Sequence, residues 1–373
     1  MTTMTRIHRA EVVGSMLRPR RLIEARQQHR AGEIDAAALR AAEDSAVDEA
    51  LHVQEAAGVD VVTDGEMRRE VFFDFFINGL RGLSMVPGER IRFHGDDPQR
   101  TMEFQIPFSV TERLSTLSCP AVAEFRYASE QTTRPLKVTL PSPMMIIGFW
   151  SEHSKSAYPD PFELAVDAAA AVRSWIGELT SAGCTYIQID APELCEAYAD
   201  QSVRDDYARR GVDPQRFVEL GTELVGSLGD DIPDGVTLGM HLCKGNGVQS
   251  WIAEGGYAAF SEKVFSRATG YDVFHFEFDD ERSGGFEPLA NLPDDKVAVL
   301  GLISTKWERL ENPAELERRI DEAARFHPKE RLALATQCGF ASTSETAEQR
   351  LITEQTQLDK LRLVADVAHR VLS

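Results

Sequence analysis

A chain of 373 residues can form one large barrel or two ordinary domains, and its 43% hydrophobic content supplies a packed core for either. A formal charge of −20 argues against nucleic acid, whose phosphates need a basic surface, and favours solubility instead. The opening Met1-Thr2-Thr3-Met4-Thr5-Arg6 leads into no apolar signal region, no run approaches the ~18 apolar residues of a membrane span, and five scattered cysteines make no disulfide framework. A reducing cytoplasm is expected.

In chain order, residues 11–15 read as the first strand. Leu39, Ala42, Ala46, Ala50, Val53 and Ala57 then step by three or four, as a helix burying one face requires, and Gly58 stops it. Residues 59–63 form the second strand, ending in Asp64-Gly65-Glu66, and residues 136–140 the third. Asp160-Pro161-Phe162-Glu163 is a helix start with cap, proline and capping-box acid. Residues 185–189 make the fourth strand, before Asp190-Ala191-Pro192-Glu193, and Asp213-Pro214 opens another helix. The fifth strand lies in residues 238–246, where an apolar run ends in His241-Leu242-Cys243 and is broken by Lys244-Gly245-Asn246.

Residues 273–278 and 297–303 supply strands six and seven, and Asn312-Pro313-Ala314-Glu315 repeats the capping signal. Residues 332–335 form the eighth strand, before Thr336-Gln337-Cys338-Gly339, and a long amphipathic helix from about Ser344 finishes the chain. Eight strands alternating with helices predict an α/β fold of the (β/α)8 barrel type, one catalytic domain over 1–373, with functional residues after the strands. Residues 67–134 are too long for a helical crossover. Short strands at 91–93 and 102–110 mark an insertion after strand 2, over the barrel mouth.

In a strand, residues i and i+2 share a face, so His241 and Cys243 point the same way and make half of a zinc site. Cys338, past strand eight, is the expected third ligand. Glu277, on strand six, is the fourth, with His275 and Asp279 competing from the same face. Two thiolates, an imidazole and a carboxylate favour Zn²⁺ over Mg²⁺ or Ca²⁺. A lone His-x-Cys reads more readily as structure, and a cysteine near a strand end is usually a small buried hydrophobe. That bland reading is kept for Cys119, Cys184 and Cys195. The arrival of all four ligands at strand ends carries the metal assignment.

These residues carry a resemblance. Val13-Gly14-Ser15, Asp64-Gly65-Glu66, Gln188-Ile189-Asp190-Ala191-Pro192-Glu193, His241-x-Cys243, Glu277 and Cys338 occur in the order seen in the catalytic barrel of cobalamin-independent methionine synthase, and the chain resembles that family over nearly its whole length. The resemblance implies a zinc enzyme that activates a thiol for S-alkylation. It implies that Glu66 and Asp190 hold the amino group of homocysteine, with Gly14 and Ser15 at its carboxylate and Glu193 beside them. Tetrahedral zinc with four protein ligands is saturated, so Glu277 is expected to be the ligand that yields to substrate. Where the long enzymes place a proton-donating histidine, this chain has Ser304-Thr305-Lys306, and Lys306 or Ser304 is the substitute.

The partners implied are a small-molecule thiol and an alkyl donor, with no nucleic acid and no membrane; a homo-oligomer is compatible. The chain has no room for the second barrel of the long enzymes, and its acidity leaves a folate donor open. Epoxyalkane:coenzyme M transferase is the alternative, with Arg18 or Arg20 gripping a sulfonate; Arg68 and Arg69 carry the same ambiguity. A non-catalytic barrel stapled by structural zinc is a third reading. Phe72, Phe73, Phe75 and Phe76 either line a donor pocket or form a buried aromatic cluster or subunit contact.

Overall fold

Aliphatic runs bounded by acids, glycines and prolines form seven parallel strands in a computed structural model that describes residues 7–95, 102–247, 250–341 and 352–373. The strands are β1 (Ala10–Glu11), β2 (Val138–Pro141), β3 (Tyr186–Asp190), β4 (Thr237–Leu242), β5 (Val273–Glu277), β6 (Val297–Ile303) and β7 (Leu332–Thr336). Their order in the sheet is β1-β7-β6-β5-β4-β3-β2, every pairing is parallel, and the sheet curls as a half-barrel. The near-continuous apolar character of β6 fits a strand covered on both faces.

The expected second strand, 59–63, forms one parallel bridge, Val62 with Leu136. Lys137 N donates to Val62 O at 2.9 Å on that side, and Asp60 N donates to Ala10 O at 2.8 Å on the other. Asp60 Oδ2 accepts the N–H groups of Arg9 and Ala10, donors that a longer ladder would use. The first strand is also shorter than expected. Beyond Glu11 the chain leaves the sheet, and Val13, Gly14 and Ser15 wall a cavity.

The N-cap signals act as read, whereas Glu163, expected to close a capping box, accepts Arg113 instead. Asp160, Asp213 and Asn312 each accept a first-turn N–H, starting helices Pro161–Ser181, Pro214–Gly226 and Pro313–Ala323. Asp35 caps helix Ala36–Ala57, and Gly58 ends it at φ +88°, where a side chain would be strained. The last helix is Glu354–Val371, and its expected start near Ser344 lies outside the described residues. Among the described residues, no helix is long and apolar enough to cross a membrane.

Residues 67–134 hold helix Asp74–Gly79, strands Leu80–Ser84 and Ser109–Thr116 paired antiparallel, and helix Pro120–Gln131. Between them, Arg90–Gly95 pairs with Met102–Gln105, so the strand expected over 102–110 is two separate strands. His94 and Gly95 also pair with Trp251 and Ser250, tying the insertion to the loop after β4. The main core packs the helices on the sheet. A smaller cluster, including Tyr186, Val273, Val297, Val299 and Ala333, packs by itself. Gly239 leaves room for the Tyr186 ring, which a Cβ there would meet at 3.3 Å.

Candidate active site

Alternation along the strands turns this apolar floor into a polar site. Tyr186, Gln188 and Asp190 follow one another on one face of β3; Gly239, His241 and then Cys243 do so on β4, and Val273, His275 and Glu277 on β5. The register sets His275 beside His241, so Glu277 comes level with Cys243.

The structure brings three of the four expected ligands together. Ligand atoms of His241, Cys243 and Cys338 all lie within 4.8 Å of one another, and all three residues are buried. Neither nitrogen of the His241 ring has a hydrogen-bond partner, an expensive state for a buried imidazole. In the metal-free protein, the neighbouring Cys338 thiol and burial push Cys243 well above the ordinary thiol range. An orphaned imidazole beside two thiols suits a soft divalent cation such as Zn²⁺, which would displace the thiol protons.

Glu277 stands outside that group. Its Oε1 accepts Lys306 Nζ at 3.0 Å and Arg282 Nη2 at 3.2 Å, and its Oε2 accepts Lys244 N at 2.8 Å. Burial would raise its pKa, but Lys306, Lys244 and Arg282 hold the carboxyl well below the usual range. The competitors are engaged elsewhere. His275 Nε2 meets Tyr186 Oη at 3.2 Å and Lys137 Nζ at 3.5 Å, and Asp279 accepts Lys306 at 3.3 Å. The expectation that Lys306 donates a proton to substrate is corrected by the same geometry. Its ammonium is clamped between two carboxylates that raise its pKa against burial, and neither it nor Ser304 lines the cavity.

Glu66 and Asp190 both line that cavity. Asp64-Gly65-Glu66 forms a tight turn, in which Asp64 Oδ1 accepts Glu66 N at 2.9 Å. Glu66 takes φ +56°, which among the described residues no other non-glycine shares as a positive value. Such backbone costs about 1–2 kcal/mol, so surrounding contacts must hold it. Thr139 Oγ1 donates to Glu66 Oε1 at 2.8 Å while accepting from Arg69 Nη1 at 2.7 Å, and Arg69 also donates to Glu124 at 3.0 Å. Glu66 Oε2 is left without a partner. Asp190 Oδ1 accepts Gln188 Nε2 at 2.7 Å, and burial pushes its pKa up to about 6 against the opposing pull of His241.

Ser15 and Gly14 line the cavity, and Gly14 is packed so closely that a Cβ would stand 2.7 Å from Glu66 Oε1. Arg18 does not. Its fully buried guanidinium donates to main-chain oxygens of Met16, Glu66, Arg69 and Ala341, so its assignment to a substrate anion is corrected to a fastener of the Glu66 turn. Arg20 is exposed and pairs with Glu24, and Arg68 pairs with Asp44 while lying over the Tyr127 ring.

The cavity has a volume of about 640 Å³. Its buried end holds the ligand trio with Glu66, Asp190 and Glu193. Its open end carries Phe93 and Phe104 of the hairpin, Tyr207, and Arg90, Arg92, Arg209 and Arg210. Phe72 and Phe73 line it too, whereas Phe75 and Phe76 pack against Trp175 in the core. Sequence reading offered Arg69 only as an ambiguous grip on an anion, where the structure has it donating to Thr139 and Glu124, and it missed Glu124 and the arginine rim. The rim is spread over two segments more than 100 residues apart, in a strongly acidic chain, and no local pattern marks it.

The fold and the family it matches are those of a methionine synthase-like transferase. Residues 9–246 match the family model described as cobalamin-independent synthase, catalytic domain, and the chain belongs to that family. It is 37% identical over 97% of its length to the uncharacterized protein YxjH of Bacillus subtilis (strain 168), covering 94% of that protein. It is 29% identical to a methionine synthase of Saccharolobus islandicus, across 92% of this chain and 91% of that one. A crystal structure from Listeria monocytogenes, assigned to the vitamin-B12-independent methionine synthases, superposes with a TM-score of 0.74 at 26% identity, covering 98% of both chains.

Proposed function

We propose that this chain transfers a methyl group to the sulfur of an amino-acid thiol of the homocysteine type, with a zinc ion held by His241, Cys243 and Cys338. The observation that carries the reading is one cavity with a soft-ligand trio and two acids, Glu66 and Asp190, at its buried end. A free thiol has a pKa near 8.5, and bound zinc would supply the Lewis acidity that deprotonates it at neutral pH. The chain's own residues do the rest. Glu66, with an unpartnered oxygen, and Asp190 hold the substrate ammonium, while Gly14 and Ser15 stand at its carboxylate.

With Glu277 occupied by Lys306 and Arg282, the protein supplies three ligands and leaves a fourth place for the substrate sulfur. The aromatic walls and arginine rim suit a flat donor with an anionic end, held so that water stays out of the transfer. The same reading completes the sheet: residues 59–63 take the eighth place between β1 and β2, giving a (β/α)8 barrel with the insertion after its second strand. The coenzyme M alternative loses the arginines assigned to it, because neither Arg18 nor Arg20 lines the cavity. A structural staple is normally closed by four ligands, whereas this trio opens onto a cavity.

Zinc K-edge spectroscopy with added thiols tests the reading. Homocysteine should add one sulfur to the metal shell, and coenzyme M should add none. Protein purified without chelators that contains no zinc would overturn it.

A further inference from the structure

Glu193 is a cavity-wall acid left over once Glu66 and Asp190 hold the thiol's ammonium. It is the second residue of helix Pro192–Ala199 and shares the cavity with His241, Cys243 and Cys338. It is only 6% exposed. Its Oε1 accepts the Ser142 hydroxyl at 2.5 Å. The same hydroxyl oxygen accepts Met144 N–H at 3.2 Å, which holds it in place beside Glu193. The other carboxyl oxygen, Oε2, has no hydrogen-bond partner. Oε2 is therefore the carboxyl oxygen free to carry a proton into the cavity.

Its charged and titratable neighbours are Asp190, Glu196 and the Tyr207 phenol, none of them a cation. Burial pushes Glu193 up to about 8, with Asp190 adding to the rise and the Ser142 hydrogen bond opposing it. Burial thus favours the protonated carboxyl. Methyl transfer from nitrogen needs such an acid, because the nitrogen leaves with the bonding pair. Lys306 and Ser304 do not reach the cavity.

We propose that Glu193 is the general acid of the transfer, delivering the proton on Oε2 to the departing nitrogen of an N-methyl tertiary-amine donor. The proposal rests on the methyl-transfer reading above. The thiolate sulfur forms the S–C bond, the C–N bond breaks with its pair on nitrogen, and that nitrogen takes the proton. Glu193 is left as carboxylate and regains a proton from solvent.

The test compares 5-methyltetrahydrofolate, as N-methyl probe, with methyl iodide, whose leaving group needs no proton, each with homocysteine and the zinc-loaded full chain. In Glu193→Gln, kcat with the N-methyl probe should fall on the order of 10²–10³-fold, the scale of general acid catalysis. The loss with methyl iodide should be at least roughly tenfold smaller on the same scale. The alkaline limb of kcat near pH 8 should vanish, and infrared spectra at neutral pH should lose the stretch of a protonated carboxyl. Equal losses with both probes, or an unchanged infrared band, would overturn the proposal. Ser142→Ala provides a second arm. Losing a hydrogen bond to the charged form should move the limb to higher pH, and a limb that stays put also overturns it. Wild-type protein that alkylates homocysteine with neither probe removes the parent reading, and this one with it.

Discussion

The Lys306 ammonium donates to Glu277 Oε1 across 3.0 Å, and neither side chain reaches solvent. Glu277 ends β5, and Lys306 lies three residues past the end of the neighbouring parallel strand β6, so the loop after β6 brings the lysine back over the acid. The same ammonium holds Asp279, which makes the lysine a clamp on two buried acids. Replacing it with Met leaves both acids without that cation. Lys306→Met should destabilise the protein by about 3–5 kcal/mol, read from urea unfolding. A variant of wild-type stability that has lost catalysis would return a proton-donating role to the lysine.

Zinc content distinguishes three protein ligands from four. Cys338→Ala should purify with little or no zinc, because it removes one of the clustered donors. Glu277→Gln should keep its zinc, since Glu277 is held by Lys306, Arg282 and the Lys244 amide instead. Elemental analysis on chelator-free preparations decides between them. Equal loss in both variants would restore Glu277 to the ligand set.

Gly14 is fixed by close approach: a methyl group there would press on Glu66 Oε1 at 2.7 Å and on Thr139 at 3.1 Å. Gly14→Ala should therefore displace the carboxylate assigned to the substrate ammonium. The expected cost is about 1–3 kcal/mol, the scale of overpacking. It should show as weaker homocysteine binding in titration calorimetry of the zinc-loaded protein. An unchanged affinity would mean that Glu66 does not touch the thiol.

Asp190 gives a pH dependence with a definite sign. Its folded pKa of about 6 lies above the unfolded value of about 3.9, so the folded state binds more protons between them. Metal-free protein should lose stability as pH rises from about 4 to about 6, by about 2–3 kcal/mol from this group. Asp190→Asn, which carries no charge to bury, should flatten that decline in denaturant unfolding across the same window. A variant with the wild-type slope would show that Asp190 is more solvated than its burial implies.

Local sequence determined six of the seven sheet strands nearly as they fold, the capped helix starts and two-thirds of the ligand trio. Caps such as Asp160 and Asn312 act within one helical turn, and alternation alone put His241 and Cys243 on one face. Motif order in the chain added Cys338. Backbone geometry set by near neighbours encodes such features, so a single sequence reveals them.

Partner choice was decided only by the tertiary structure. Arg18 stands beside the Gly14-Ser15 motif, yet its guanidinium reaches Glu66 O, 48 residues away, and Ala341 O, 323 away. Lys306 follows a strand end as a catalytic residue would, and is consumed by acids 27 and 29 positions earlier. The positive φ of Glu66 is likewise held by Thr139, 73 residues on. Hydrogen bonds of buried charges are settled by whichever donors and acceptors the folded sheet brings within about 3 Å. Residue type and spacing do not carry that distance.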